Sequence, residues 1–155
     1  MKIYTKTGDG GYSDILGKRV KKSDKIFALV GTVDKLNAVL SLGVNFCTDD
    51  KVKSEILALQ SEIVKLNGKI SGYGEFDFDV SQFEERIDFY SEKTVGFSLY
   101  NMPQKRDSAF FNLARTICRD VERTAVEIDS ENTGLIRYLN RMSDYLYAVG
   151  KYLDI

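Results

Sequence analysis

Apolar residues recur at steps of four and three along two long stretches of this 155-residue chain. The first stretch carries Val52, Ile56, Leu59, Ile63, Leu66 and Ile70. The second carries Leu135, Leu139, Met142, Leu146, Val149 and Leu153. This spacing places side chains on one face of an α-helix, which must then pack against another element. The pattern predicts helices over about 49–70 and 132–153.

Less regular runs with the same period predict three more helices. They cover about 24–46 after a possible N-cap at Ser23, a shorter stretch from near Ser81 to before Gly96, and about 107–128. A single proline and 29% charged residues also favour helices. The sequence therefore predicts an all-α fold, a five-helix up-and-down bundle over 23–155, preceded by an irregular glycine-rich loop over 1–22.

Composition restricts the classes of function. With 43% apolar residues, the 155 residues are enough for a single domain with its own core. The net charge of −1 gives no basis for binding nucleic acid. We find no apolar run long enough for a membrane span and no signal region, so we expect a cytoplasmic protein without a membrane partner. We expect Cys47 and Cys118 to be free core thiols.

The chain contains no histidine. Its absence excludes Ser–His and Cys–His nucleophilic machinery and most zinc and di-iron sites. Any chemistry must therefore depend on arginine, lysine, carboxylates, asparagine, backbone groups and the ligand itself.

The N-terminal segment contains the strongest candidate for a ligand-binding loop. Its polar and glycine residues are Thr5, Lys6, Thr7, Gly8, Asp9, Gly10, Gly11 and Ser13. Glycine allows backbone N–H groups to turn toward an anion, and lysine adds a positive charge, so this composition is typical of a phosphate-binding loop. A simple hairpin turn is the alternative interpretation.

Three predicted helices carry polar residues on faces that a core helix would fill with leucine. These residues are Asp34 and Asn37; Arg115, Arg119 and Glu122 with Arg123 beside them; and Asn140, Ser143 and Asp144. Each set also has a simpler interpretation: an exposed helix carboxylate, a surface ladder of ion pairs, and a satisfied core amide.

Taken in order, four motifs resemble one family. They are Thr-Lys-Thr-Gly-Asp-Gly-Gly at 5–11, Gly-Thr-Val-Asp-x-Leu-Asn at 31–37, Ala-Arg-Thr-x-Cys-Arg-x-x-Glu-Arg at 114–123, and Tyr-Leu-Asn-Arg-Met-Ser-Asp-Tyr-Leu at 138–146. Together they resemble the PduO-type ATP:cob(I)alamin (corrinoid) adenosyltransferases over residues 2–153.

The resemblance implies a homotrimer with ATP bound between neighbouring subunits. It implies that the loop 5–11 and Ser13 surround the triphosphate, that Lys6 and Arg119 stabilise the leaving group, and that Glu122, Arg123 and Asn140 help to hold the nucleotide. It also implies a pairing of Asp34 with Arg115 across the subunit interface.

The implied reaction transfers the 5′-deoxyadenosyl group of ATP to the cobalt of cob(I)alamin and releases triphosphate. The resemblance implies Mg²⁺ bound mainly through the ATP phosphates, and an apolar wall against the lower corrin face. Phe97 is the candidate for this wall, with Leu99 or Tyr100 as alternatives. A reductase and a B12-dependent enzyme are the further partners that this activity implies.

The chain departs from the family pattern at Lys35, at Asp120 and in the stretch 101–107. The altered stretch leaves an alternative function open. In that alternative, the trimer is a carrier or regulatory module that binds ATP or adenosylcobalamin with weak or no turnover.

Overall fold

A computed structural model describes residues 2–94 and 102–155. Within these residues it contains five helices: α1 (Lys25–Phe46), α2 (Asp50–Ile70), α3 (Ser81–Lys93), α4 (Arg106–Ile128) and α5 (Thr133–Leu153). The predicted helices are confirmed, with boundaries shifted by only a few residues.

Local hydrogen bonds explain where the long helices begin. The Asp24 carboxylate accepts a hydrogen bond from the backbone N–H of Ile26 at 2.9 Å. Asp24, and not the predicted Ser23, is therefore the N-cap of α1. The side chains of Asp49 and Asn132 accept equivalent bonds at the starts of α2 and α5.

The helices pack along their apolar faces. Every residue of the two apolar runs is buried except Ile70, which packs against the core from its edge. Phe46 stacks on Phe110 with ring centroids 5.5 Å apart at one end of α1, and Lys25 bonds Glu127 at 2.9 Å at the other end. Helices α1 and α4 are therefore antiparallel neighbours. Cys118 donates to the carbonyl of Leu139, which joins α4 to α5.

The N-terminal segment is only partly irregular, because a β-hairpin follows the loop 5–11, in line with the alternative interpretation of this segment. Strand β1 (Tyr12–Ile15) pairs antiparallel with β2 (Lys18–Lys21). The two residues between the strands, Leu16 and Gly17, both have positive φ, at 52° and 69°. Positive φ at both positions is the signature of a type I′ hairpin turn, whose twist matches that of the strands.

The hairpin tip lies against the C-terminal end of α2. Leu16 donates its backbone N–H to the carbonyl of Ser71 at 3.1 Å, and Ile15 is buried. A leucine at positive φ is strained by roughly 1 kcal/mol. These contacts with the bundle offset that cost and fix the hairpin in place.

Two other predictions concern the core. Cys47 and Cys118 are free and buried, as expected. Contrary to expectation, α1 is long and apolar enough to meet the criterion for a membrane span. Core helices of bundles meet the same criterion, and α1 buries one face, including Leu29, Val33 and Leu36, in the shared core.

Candidate active site

An open groove of about 400 Å³ lies along α4 and α5. Its lining is Arg119, Glu122, Arg123, Val126, Glu127 and Asn140. Four of these were candidate residues from sequence. Ser108 near the start of α4 donates to the carbonyl of Gly150 near the end of α5, and Cys118 donates to that of Leu139, so the two helices are antiparallel neighbours. Glu122 and Asn140, 18 positions apart in sequence, therefore come within hydrogen-bond distance (3.4 Å) across the groove.

The two arginines in this groove differ in whether they already have an ion-pair partner. Arg123 forms an ion pair with Asp120, one turn back on α4. Arg119 is exposed and forms no ion pair with any residue that the structure describes. The groove therefore offers one uncommitted guanidinium, beside an amide and a carboxylate.

A ladder of ion pairs along α4 does not form. Arg115 donates its Nε–H to the side-chain oxygen of Asn112 at 3.0 Å, and Glu122 contacts Asn140 on α5. Ser143 is buried and donates to the carbonyl of Asn140, while Asp144 pairs with Arg141. Asn140 is half-buried and contributes its side chain to the groove.

The loop over 5–11 is an exposed turn structure. Lys6 has a positive φ of 61°, and the hydroxyls of Thr5 and Thr7 lie 2.8 Å apart. Backbone bonds join Asp9 N–H to the Lys6 carbonyl and Gly11 N–H to the Gly8 carbonyl. This conformation leaves the side chains of Thr5, Lys6 and Thr7 exposed to a ligand.

Two basic residues that sequence reasoning missed hold this loop. Arg19 on β2 bonds the carbonyl of Thr7 and pairs with Asp14 at 3.2 Å. Lys22 donates to the carbonyl of Gly8 at 2.9 Å. Ser13, the remaining candidate, pairs with Val20 in the hairpin. The pairing of the hairpin places 18–21 beside 12–15 and Lys22 beside Gly11, at the end of the loop, so predicting the hairpin would have brought these basic residues close to it.

A series of contacts runs from the loop 5–11 toward the α4–α5 groove, but it does not connect Lys6 with Arg119. Lys22, which bonds Gly8, is three residues before Lys25, and Lys25 bonds Glu127 at the edge of the groove. No contact among the described residues joins Lys6 to Arg119 directly. Their convergence on one ligand stays a prediction.

Asp34 lies in a second groove, of about 320 Å³, between α1 and α2. Asn37, Asn67 and Tyr73 also line it. The side-chain oxygens of Asn37 and Asn67 are buried without hydrogen-bond partners. Buried acceptors of this kind are rare, because each costs about 1–3 kcal/mol when unpaired. The two amide oxygens are closed off from solvent, so the exposed carboxylate of Asp34 is the acceptor that this groove presents to a donor from outside the chain.

The remaining predictions concern parts of the site that the described residues do not supply. Phe97, with its alternatives Leu99 and Tyr100, lies outside the described residues. Residues 2–94 and 102–155 contain no cluster of three or more cysteine or carboxylate side chains able to hold a metal ion.

Proteins of one family are similar to this chain over nearly its whole length. The sequence profile of the family described as cobalamin adenosyltransferase matches residues 3–153. The corrinoid adenosyltransferase of Bacillus subtilis is 29% identical, over 99% of this chain and 87% of that protein. The corrinoid adenosyltransferase PduO of Salmonella typhimurium is 30% identical, and the match spans half of that longer protein.

Solved structures extend the similarity to three dimensions. A variant PduO-type ATP:corrinoid adenosyltransferase from Lactobacillus reuteri, complexed with ATP, superposes with a TM-score of 0.90 at 26% identity, over 98% of this chain and 94% of that one. A second variant of that enzyme, complexed with cobalamin and ATP, gives a TM-score of 0.89 at 26% identity, over 99% and 93%. The chain therefore belongs to the cobalamin adenosyltransferase family.

Proposed function

We propose that this chain transfers the 5′-deoxyadenosyl group of ATP to the cobalt of a reduced corrinoid and releases triphosphate. The Co(I) substrate supplies an electron pair to C5′ of ATP, and the C5′–O5′ bond breaks with its electron pair leaving on triphosphate. No proton has to be removed, so a site without histidine is sufficient.

The observation that carries the proposal is the uncommitted guanidinium of Arg119 in the α4–α5 groove. A leaving triphosphate carries several negative charges, and an arginine binds phosphate oxygens with charge-assisted hydrogen bonds. Arg123 is held by Asp120, so Arg119 is the residue free to meet the nucleotide. Asn140 and Glu122 lie beside it to orient the ribose or phosphates.

The loop 5–11 is proposed as the second half of the phosphate site. Arg19 and Lys22 donate hydrogen bonds to its carbonyls at Thr7 and Gly8, so these two oxygens are already engaged and the loop conformation is fixed. The Lys6 ammonium and the Thr5 and Thr7 hydroxyls are exposed and can contact phosphate. Preorganised donors of this kind stabilise charge that develops in the transition state.

Mg²⁺ fits this site only as a companion of ATP. Because the described residues lack a metal-binding cluster, the phosphates would supply most of its ligands, and Glu122, which lines the groove, could add one. When bound, Mg²⁺ would neutralise part of the charge on the departing triphosphate.

We propose a trimer in which the two halves of the site come from neighbouring subunits. The α1–α2 groove supports this arrangement, because the exposed Asp34 carboxylate that lines it has no ion-pair or hydrogen-bond partner among the described residues. Arg115 of a second copy is the donor that the family resemblance implies. A reductase that supplies Co(I) and an enzyme that uses the product would be further partners.

The decisive experiment mixes the protein with enzymatically or chemically reduced cobalamin, ATP and Mg²⁺, and follows the cob(I)alamin spectrum anaerobically. We expect cob(I)alamin to disappear with formation of a light-sensitive cobalt–carbon bond and one triphosphate per turnover. Arg119→Ala should abolish most of this rate, whereas Arg137→Ala, which replaces an exposed arginine outside the groove, should not.

The same assay separates the enzyme from the carrier alternative. Tight ATP binding by calorimetry, without a new cobalt–carbon product, would contradict the adenosyltransferase proposal and favour the carrier. If ATP gives no thermal stabilisation either, both nucleotide functions are wrong, because a ligand of the native state must stabilise it.

A further inference from the structure

The side chain of Arg123 lies between two carboxylates of its own helix. Asp120 is one turn before it on α4 and Glu127 is one turn after it, and residues at these spacings are neighbours on a helix surface. Arg123 and Glu127 both line the α4–α5 groove, and Asp120 directly follows Arg119, another lining residue. The other partners of the two carboxylates therefore decide how the Arg123 guanidinium is held.

The two carboxylates differ in these partners. Glu127 accepts a hydrogen bond from the ammonium of Lys25 on α1 at 2.9 Å, and this bond, with a smaller contribution from Arg123, lowers the pKa of Glu127. Asp120 forms its ion pair with Arg123, and no other cation within residues 2–94 and 102–155 pairs with it. The Asp120 carboxylate is therefore the group that holds the Arg123 guanidinium.

The charges at this groove balance within the described chain. The lining residues and their direct ion-pair partners contribute three basic and three acidic side chains: Arg119, Arg123 and Lys25, and Asp120, Glu122 and Glu127. No net charge at the groove itself therefore attracts a polyanion. Removing the charge of Asp120 would leave the groove positive and would also release a second guanidinium into it.

The ion pair of Asp120 with Arg123 is weak enough to open when an anion binds. The Arg123 side chain is 71% exposed and that of Asp120 is 51% exposed. Exposed pairs of this spacing contribute little stability, whereas a phosphate can form a bidentate, charge-assisted contact with a guanidinium. When phosphate takes Arg123, however, Asp120 loses its partner and stays beside a like charge. Binding of a polyphosphate therefore includes this cost.

We propose that Asp120 is a positioning residue that limits the affinity of the groove for polyphosphate, because the anion can gain Arg123 only by displacing the Asp120 carboxylate. This inference rests on the proposed function, which places the triphosphate of ATP in the same groove. ATP and the triphosphate product share the charged group, so the restraint weakens the binding of both and favours release of the product.

The test is a calorimetric titration with sodium triphosphate at low ionic strength, without Mg²⁺. Asp120→Asn keeps the size of the side chain and removes its charge, and it should tighten binding about three- to tenfold, less as salt is added. Asp120→Glu keeps the carboxylate and should bind as the parent protein does. Asp88→Asn, which removes one exposed negative charge on α3, should have no effect.

The Arg123→Ala background separates release of the guanidinium from simple removal of a negative charge. With Arg123 absent, Asp120→Asn should tighten triphosphate binding by at most about twofold, since only the screened like charge is lost. An equal gain with and without Arg123 would overturn the proposal. Unchanged affinity in Asp120→Asn would also overturn it, as would equally tight binding by Asp120→Asn and Asp120→Glu.

Steady-state kinetics distinguish this inference from the proposed function. Asp120→Asn should lower the KM for ATP without raising kcat, because it tightens ground state and transition state alike. Tighter triphosphate binding by Asp120→Asn without any cobalt–carbon product would contradict the proposed function and support the restraint on Arg123. Normal turnover with unchanged triphosphate affinity in Asp120→Asn would support the proposed function and overturn the restraint. Absence of triphosphate binding by both proteins would overturn the restraint as well.

Discussion

At the scale of single residues, Arg119 and Arg123 show how neighbours decide what an arginine can do. Both lie on α4 and line the same groove, but Arg123 is held in an (i, i+3) pair with Asp120. Arg119 has no such pair among the described residues. Its charge is therefore available to a polyanion, whereas Arg123 must first give up an existing partner.

We expect Arg119→Ala to lower kcat by about 10²- to 10³-fold, the usual effect of removing one preorganised donor from a transition state. Alanine and arginine are both good helix formers, so α4 should remain folded. Single-turnover kinetics with circular dichroism would check both statements. Parental kinetics in this variant would remove Arg119 from the site.

A second residue-scale feature is the carboxylate of Glu55, which is 11% exposed and lies between α2, α3 and α5. It accepts hydrogen bonds from the hydroxyls of Tyr90 at 3.0 Å and Tyr145 at 2.9 Å. Burial, and then Glu55, raise the pKa values of both tyrosines well above the ordinary range. The two phenols therefore hold their protons in the folded state at any pH where the unfolded chain loses them.

This difference predicts a loss of stability at alkaline pH. Up to about pH 10 both states keep the phenol protons; above it the unfolded state binds fewer protons, so the free energy of unfolding falls. Each such tyrosine should contribute a slope of about 1.4 kcal/mol per pH unit. Urea unfolding at a series of pH values would measure it. Tyr145→Phe removes one of the two phenols, so the free energy of unfolding of this variant should fall less steeply with pH. The same slope in the variant and the parent protein would mean that Tyr145 does not cause the loss of stability.

At the scale of elements, the contact between α1 and α4 depends on a glycine. A Cβ atom built at Gly43 would lie 2.7 Å from Cε1 of Phe111, and Phe111 is fully buried. The ring therefore occupies the space that any larger residue at 43 would need, and the two helix backbones approach closely at this point.

We expect Gly43→Ala to destabilise the protein by about 1–3 kcal/mol, because overpacking outweighs the roughly 1 kcal/mol that alanine gains in helix propensity. Chemical denaturation would measure the change. Gly31→Ala is the matched control: it lies in the same helix with open space around it, and it should stabilise or be neutral. Similar effects of both substitutions would mean that Phe111 repacks without cost.

The helices could be predicted from sequence because their signals are local. The runs that end with Ile70 and Leu153 fix both the period and the length of α2 and α5, and Asp49 and Asn132 provide caps. A hairpin was open as an alternative, but its position could not be predicted, because its turn uses Leu16 at positive φ and not the usual Asn-Gly, and its stability depends on Ser71 in a distant element.

The same distinction between local signals and contacts between distant elements applies to the residues of the candidate site. Arg119, Glu122 and Arg123 share one helix, so their proximity follows from the period alone, and Asn140 joins them through the antiparallel packing of α4 and α5. Arg19 and Lys22 were missed because their roles depend on strand pairing. The trimer, the single-domain boundary and the cytoplasmic location stay predictions, since each concerns something beyond the contacts within this chain.

At the scale of the whole molecule, no direct contact among residues 2–94 and 102–155 joins the two proposed halves of the nucleotide site. The loop 5–11 is anchored to the hairpin, the hairpin tip to α2, and Arg119 belongs to α4. A neighbouring copy would bring the halves together, and it would also supply a partner for the exposed Asp34 carboxylate. Assembly and ATP binding should therefore be coupled.

Substitutions of Asp34 and Arg115, including an exchange of their charges, test whether subunit assembly and ATP binding are coupled. Asp34→Ala and Arg115→Ala should each weaken trimer formation or ATP affinity by about tenfold or more, because each leaves one charge of an interface pair without its partner. Sedimentation velocity and calorimetry with ATP would measure the two effects. The double variant Asp34→Arg with Arg115→Asp should recover part of both, since it restores opposite charges across the interface. Asp88→Ala, on an exposed face of α3, serves as the control.

If both single variants assemble and bind ATP normally, Asp34 and Arg115 are not a subunit-linking pair. Recovery in the double variant, by contrast, would require the two residues to face each other in the assembled protein.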